Sequence, residues 1–209
     1  MKKTLFALTA TLLATIACTG QNVKLPAPQT TGGKTIVESL WSRGSNNEFS
    51  EQMLSDQDLS NLLFAACGVN RDNGKLTSPT ASNKQEIRLF VFTADGVCEY
   101  LNAEHSLKPL VKGDQRALVA GRQEWVTAAP VVLLIVADGT KYDSLDERSR
   151  TMMAVDAGIV SENINLFCAG TGLVTRPRAS MDADAIKALL SLDETQLPLM
   201  NNPVGYPKN

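Results

Sequence analysis

At 209 residues, with 44% hydrophobic and 20% charged content, the chain is long enough to bury one sizeable core and too apolar to stay disordered. Its formal net charge is −2 and its Lys and Arg are spread along the sequence, which excludes a surface built to wrap nucleic acid. Four widely spaced cysteines (Cys18, Cys67, Cys98 and Cys168) and a single histidine, His105, exclude a disulfide scaffold, a structural zinc site and a His-rich metal centre. No metal is expected, and a hydrolytic triad would have to rest on His105 alone.

Lys2-Lys3, the apolar run 5–17 and the small residues that follow predict an export signal over residues 1–20. Thr15-Ile-Ala-Cys18 resembles a lipobox whose cysteine carries a lipid anchor, and Cys18-Thr-Gly20 suits an ordinary signal peptidase. Either route leaves an exported protein, periplasmic or anchored to the envelope. Residues 21–34, with Pro26, Pro28 and Gly32-Gly33, read as an extended lead-in to one domain over 35–209.

Within that domain, Ile36, Val37, Leu40 and Trp41 recur at helical spacing over 35–42. Ser55-Asp-Gln-Asp58 is a capping-box-like start for a helix that Gly68 ends. Residues 69–84 lack an apolar period and carry Asp72-Asn-Gly74 and Ser78-Pro79, the pattern of a long polar loop. A strand over 86–93 turns at Asp95-Gly96 into a second over 97–101, a β-hairpin. Residues 114–128 read as one helix with Ala117, Leu118, Trp125 and Val126 inward, ending before Pro130. Val131-Val-Leu-Leu-Ile-Val-Ala137 is a continuous apolar strand of the kind found at a sheet centre. Residues 152–173 are apolar nearly all round a helical wheel, which predicts a helix buried on every side. The short run 173–178 closes with Arg176 and Arg178, two cations whose place beside a core element predicts an anion nearby. A capped helix over 182–190 and an edge-strand-like end at Pro203-Val-Gly-Tyr-Pro207 complete an α+β domain.

Three polar stations carry the chemistry: Arg43-Gly-Ser45 after the first helix, Ser78-Pro-Thr-Ala-Ser-Asn-Lys-Gln85 before a core strand, and Thr175-Arg-Pro-Arg-Ala-Ser180 after the long helix, with Lys208 near the end. None forms a proton-transfer pair, so demanding chemistry falls to a cofactor. As a set with Arg43-Gly-Ser-Asn-Asn-Glu-Phe49, Asp156-Ala-Gly-Ile and Pro203-Val-Gly-Tyr-Pro207, they resemble the nitroreductase-like family of FMN-dependent oxidoreductases. Residues 59–71 further resemble the branch containing thiazole- and oxazole-forming (azoline) dehydrogenases.

The resemblance implies a central, mostly antiparallel sheet flanked by helices, and a homodimer with FMN at the subunit interface. It implies that Arg43, Ser45 and Lys208 hold phosphate and ribityl, that Asn83 and Gln85 face the flavin ring, and that the backbone N–H near Ala179 points at N5. Gly44 and Asn47 stand where the family often has cations, and Arg178 is the residue expected to compensate. The implied activity passes electrons between a reduced donor such as NAD(P)H and a small electron-poor acceptor such as a nitro compound or quinone. Alternatives are an azoline-type dehydrogenase of another substrate and a flavin-binding carrier or sensor.

Overall fold

A computed structural model describes residues 20–208; most of the expected export signal, with Cys18, lies outside the described residues. The elements run β1 (Val23–Lys24), α1 (Ile36–Ser42), α2 (Asp56–Cys67), β2 (Ile87–Phe92), β3 (Gly96–Leu101), β4 (Ser106–Lys112), α3 (Arg116–Ala120), β5 (Val131–Asp138), α4 (Glu147–Thr171), β6 (Val174–Thr175), α5 (Ala183–Leu190) and β7 (Gln196–Gly205). Short 3-10 turns occupy Ala81–Asn83, Glu124–Ala128 and Gly139–Lys141. The strands form one sheet in the order β1-β4-β3-β2-β5-β7-β6, every neighbouring pair antiparallel.

The sheet is covered on both faces, which is why β2 and β5 are apolar without alternation. Leu89, Val91, Leu133 and Ile135 face α2 and α4, packing with Leu62, Leu63, Met153, Val160 and Ile164. Phe90, Phe92, Val132 and Leu134 face the other way, against Val119, Val126 and Ile186. The helix starts are fixed by side chains: Ser55 accepts from the Asp58 N–H at α2, and Asp146 accepts from the Ser149 N–H at α4. Gly172, at φ +84°, ends α4 in the left-handed conformation.

Four expectations need correction. Residues 114–128 are not one helix, because Gly121 adopts φ +57°, ψ −120°, a conformation that side chains disfavour, and the chain restarts as a 3-10 turn. Ala117 is exposed and Val119 and Ala120 are buried instead, while Val126 is buried as expected. The C-terminal strand is not an edge: β7 pairs with β5 along its length and with β6 at Val204 and Gly205. A strand missing from the sequence reading, β4, carries Pro109 opposite Cys98 beside a register shift, the kind of irregularity that tolerates a proline in a sheet.

The fourth correction concerns α4. Within one chain it buries Met153, Asp156, Ala157, Val160, Ser161, Ile164, Asn165 and Cys168, while Val155 is half exposed and an added Cβ at Gly158 would meet nothing within 4 Å. Beside it, α1 turns Ile36, Val37, Leu40 and Trp41 outward and buries Ser39 instead. The close α1–α4 approach depends on Gly170, where a Cβ would sit 2.8 Å from Ser39 Oγ. One chain therefore leaves an apolar surface on both helices.

Candidate functional site

The loop ahead of β2 departs furthest from ordinary backbone geometry. Ser82, Asn83 and Gln85 have φ of +53°, +54° and +51°, left-handed conformations that non-glycine residues hold only when their surroundings enforce them. Here Thr80 Oγ1 accepts from the Gln85 N–H at 2.9 Å, and Asp156 Oδ2, from α4, accepts from the Ala81 N–H at 2.8 Å. Lys84 donates to Lys141 O at 2.7 Å and sits 4.7 Å above the Tyr142 ring. Asn83 and Gln85 are brought together: the Gln85 amide donates to Gly74 O at 3.1 Å and to Asn83 Oδ1 at 3.4 Å. Asn83 itself is exposed at the tip.

Residues 45–50 lace the end of the sheet. Ser45 bridges Thr175 of β6, the Asn46 N–H donates to Thr175 O, Phe49 bridges Pro207, and the Ser50 N–H donates to Tyr206 O. This ribbon puts Arg43 and Ser45 at one end of a rim and Lys208 at the other. The Val-Gly-Tyr-Pro signature explains the second anchorage. A Cβ at Gly205 would meet Pro130 at 2.8 Å and Phe49 at 3.2 Å, and the Tyr206 hydroxyl donates to Asp58 at 2.6 Å. Arg43 and Lys208 are exposed, and neither side chain has a hydrogen-bond or ion-pair partner among the described residues. Phe49, Ser50, Arg116, Pro207 and Lys208 help line an open cleft of about 820 Å³. Its other cation, Arg116, is held by Asp114 at 2.6 Å and by Ala129 O.

Arg178 does not join that rim. Its guanidinium donates from Nε to Gln123 Oε1 at 2.8 Å, from Nη1 to Val119 O and Asn201 Oδ1, and from Nη2 to Ala120 O. It is buried, its donors are committed to internal acceptors, and it lies 5.4 Å from the Trp125 ring centroid. The expected compensating cation is thus an internal brace for the segment broken at Gly121. That brace has a consequence for Ala179: paired backbone bonds between Arg178 and Asn201, at 2.8 and 2.7 Å, fix the chain just before it. Ala179 is exposed, and its N–H has no partner among the described residues.

Comparison with known proteins decides what the arrangement belongs to. The profile of the Nitroreductase family matches residues 40–206. The chain belongs to the nitroreductase family. A nitroreductase-like protein of Methanocaldococcus jannaschii is 30% identical over 180 residues, covering 81% of this chain and 90% of the relative. The crystal structure of a nitroreductase-like protein from Ralstonia eutropha JMP134 superposes with a TM-score of 0.85 at 31% identity, over 91% of this chain and 92% of that one. A Parabacteroides distasonis structure, described as an NADH dehydrogenase/NAD(P)H nitroreductase, shares the fold with a TM-score of 0.60 at 16% identity, over 84% and 89% of the two chains. Family membership makes this protein an oxidoreductase.

Several residues that brace this region were not singled out from the sequence. Asn202, buried in β7, accepts from Ser161 Oγ at 2.8 Å and donates to Asn165 Oδ1 at 3.1 Å and Thr175 Oγ1 at 3.4 Å. It ties α4 to β6, where Ser45 is bridged. Its neighbour Asn201 accepts from Arg178 and donates to Ser180 O. An Asn pair inside a strand, with Ser161 and Asn165 four apart on an apolar helix, was the available signal, since buried amides must be paired. Beneath the 80–85 loop, Glu86 is fully buried.

The remaining singled-out residues have structural roles. His105 Nδ1 lies 2.8 Å from Tyr100 Oη, and its Nε2 lies 2.7 Å from Ser60 Oγ and 3.0 Å from Pro26 O, so it ties the lead-in to α2 and β3. Cys67, Cys98 and Cys168 are buried and form no disulfide, and burial pushes the Cys67 thiol up to about 12. No group of residues suited to holding a metal occurs among the described residues.

Proposed function

We propose that this nitroreductase-family protein binds FMN and passes electrons between a reduced donor, such as NAD(P)H, and a small electron-poor acceptor such as a nitro compound or quinone. The observation that carries the reading is the rim itself: two unpartnered cations, Arg43 and Lys208, lie on a ribbon whose backbone is fixed by Thr175 and Tyr206. A phosphate wants charged donors of that kind. Bound FMN would supply the two-electron chemistry. With FMN bound, the chain's own residues would bind and orient it: Arg43, Ser45 and Lys208 would hold phosphate and ribityl, Asn83 and Gln85 would offer amides to the polar edge of the ring, and the unpartnered N–H of Ala179 would be a donor for it.

The functional unit in this reading is a homodimer. Ile36, Val37, Leu40 and Trp41 are between 57% and 87% exposed, and together with the open side of α4 they form an apolar surface that a second copy would cover. Residues 1–20 act as an export signal with Cys18 as a possible lipid-anchor site, so the domain over 35–209 works outside the cytoplasm. Two narrower readings have their own support. The resemblance of residues 59–71 to azoline dehydrogenases favours the oxidative direction, and Gly44 and Asn47 in place of cations favour a weaker-binding flavin carrier. Anaerobic titration separates them. Bleaching of the flavin by NAD(P)H and recolouring by nitro compounds or quinones is expected; a bound flavin inert to every donor and acceptor contradicts turnover.

A further inference from the structure

Glu86 and Asp156 come from elements 70 residues apart and meet beneath the strained loop. Glu86 has no exposed surface, and its backbone C=O accepts from the Asp138 N–H at 2.9 Å, pinning it between β2 and β5. Its Oε1 accepts from the Tyr142 hydroxyl at 3.2 Å, whereas its Oε2 is buried with no donor among the described residues. Asp156 is also buried, acts on the Glu86 carboxyl as a neighbouring carboxyl group, and holds the Ala81 N–H on Oδ2.

The groups facing this pair supply no counter-charge. Tyr142 is neutral, and its hydroxyl is pushed up to about 12 by burial and then by Glu86. The nearby ammonium, Lys84, is committed to Lys141 O and the Tyr142 ring, and neither carboxyl forms an ion pair among the described residues. Two buried carboxylates side by side without a cation are costly. A proton on Glu86 removes the repulsion, lets its buried Oε2 act as a donor and leaves Asp156 Oδ2 to hold the loop.

We propose that Glu86 is held protonated beside Asp156 and that the two act as a positioning pair for the 80–85 loop, so that the loop carrying Asn83 and Gln85 is set by the protonation of Glu86 beneath it. Burial and the neighbouring Asp156 push the Glu86 carboxyl up to about 7, which puts loss of that proton near neutrality. Once it is lost, repulsion must be relieved by moving one carboxyl. Glu86 is held by the sheet and Tyr142, so Asp156 moves, and the Ala81 anchor goes with it. Ser82, Asn83 and Gln85 then lose part of what enforces their left-handed backbone. The link to the cofactor rests on the reading that this loop faces FMN.

The test compares the parent with Glu86→Gln, whose amide mimics the protonated acid. Hydrogen exchange of the 80–85 amides in the apoprotein, corrected for the intrinsic effect of pH, should show protection falling by up to about tenfold per pH unit as pH rises toward about 7 and levelling off above it in the parent, with that fall absent in E86Q. Matching profiles overturn the proposal. If E86Q fails to fold, infrared spectra of the parent decide: a protonated-carboxyl C=O band should be present near pH 6, absent near pH 8 and shifted in Asp156→Asn. Absence of that band near pH 6 overturns the proposal too. A separate FMN titration tests the reading beneath it. Affinity should fall with pH in the parent and not in E86Q; a loop that loosens while FMN affinity stays constant keeps the pair and removes the loop from the flavin site.

Discussion

Trp41→Ala should break the proposed dimer while leaving the protomer folded. The indole is 87% exposed and α1 buries Ser39 rather than its apolar residues, so the substitution should change protomer stability by no more than about 0.5 kcal/mol. A Trp side chain carries about 150–250 Å² of surface, and covering it at ~25 cal/mol per Å² is worth about 4–6 kcal/mol as an upper bound. Ordering and imperfect fit reduce that, leaving ~2 kcal/mol per copy, typical of a central interface residue. In a two-fold interface the loss occurs twice, so the dimer dissociation constant should rise by about 1,000-fold. Gly158→Leu is the companion variant, because the open space around Gly158 lets the protomer accept the side chain while an apposed subunit would not. Sedimentation equilibrium with absorbance detection reads both mass and flavin. A parent that is monomeric at micromolar concentration, or a W41A dimer as tight as the parent's, refutes the assignment of this face.

Arg43→Ala should weaken FMN binding by about 1.5–3 kcal/mol, the size of a hydrogen bond to a charged group, with a smaller loss for Lys208→Ala; fluorescence titration across a salt series checks both. Arg178→Met should act on stability instead, because it leaves Val119 O, Ala120 O and Asn201 Oδ1 without their donor at about 1–3 kcal/mol per buried group, and chemical denaturation of the apoprotein measures it. Glu86 gives a signed pH effect. Its carboxyl rises on folding from the usual 4.5 to about 7, so the folded state binds the extra proton, and the associated stability is complete below about pH 4.5 and lost as pH rises to about 7. At 1.36 kcal/mol per unit, the Glu86 contribution across that window is about 3 kcal/mol and should be missing in E86Q; the difference between the two proteins' denaturation midpoints at several pH values tests this.

Elements whose pattern reflects one dominant interaction were legible in the sequence. β5 is apolar throughout because both its faces are covered, and the Asp95-Gly96 turn announced the hairpin of β2 and β3. β4 was not legible, since Lys108, Pro109 and Lys112 interrupt its pattern and only two residues of β1 pair with it on its outer side. The break at Gly121 was hidden because apolar residues continue across it at helical spacing. For the site, Arg43 and Lys208 are exposed, and Asn83 meets Gln85 at the loop. Arg178 pointed the other way because sequence shows a cation without showing the carbonyls it will meet. Glu86 and Asp156 were invisible for a related reason: each alone reads as an ordinary carboxylate, and only folding sets them side by side.

The central claim is that Arg43, Ser45 and Lys208 hold the phosphate and ribityl of FMN. Its most direct measurement is the mass of the cofactor released from purified protein, taken with the absorbance spectrum before and after reconstitution with FMN. The account predicts a yellow dimer that releases FMN at one per chain and loses it in the Arg43→Ala Lys208→Ala double variant. Release of FAD, or a protein that stays colourless in excess FMN, would contradict it.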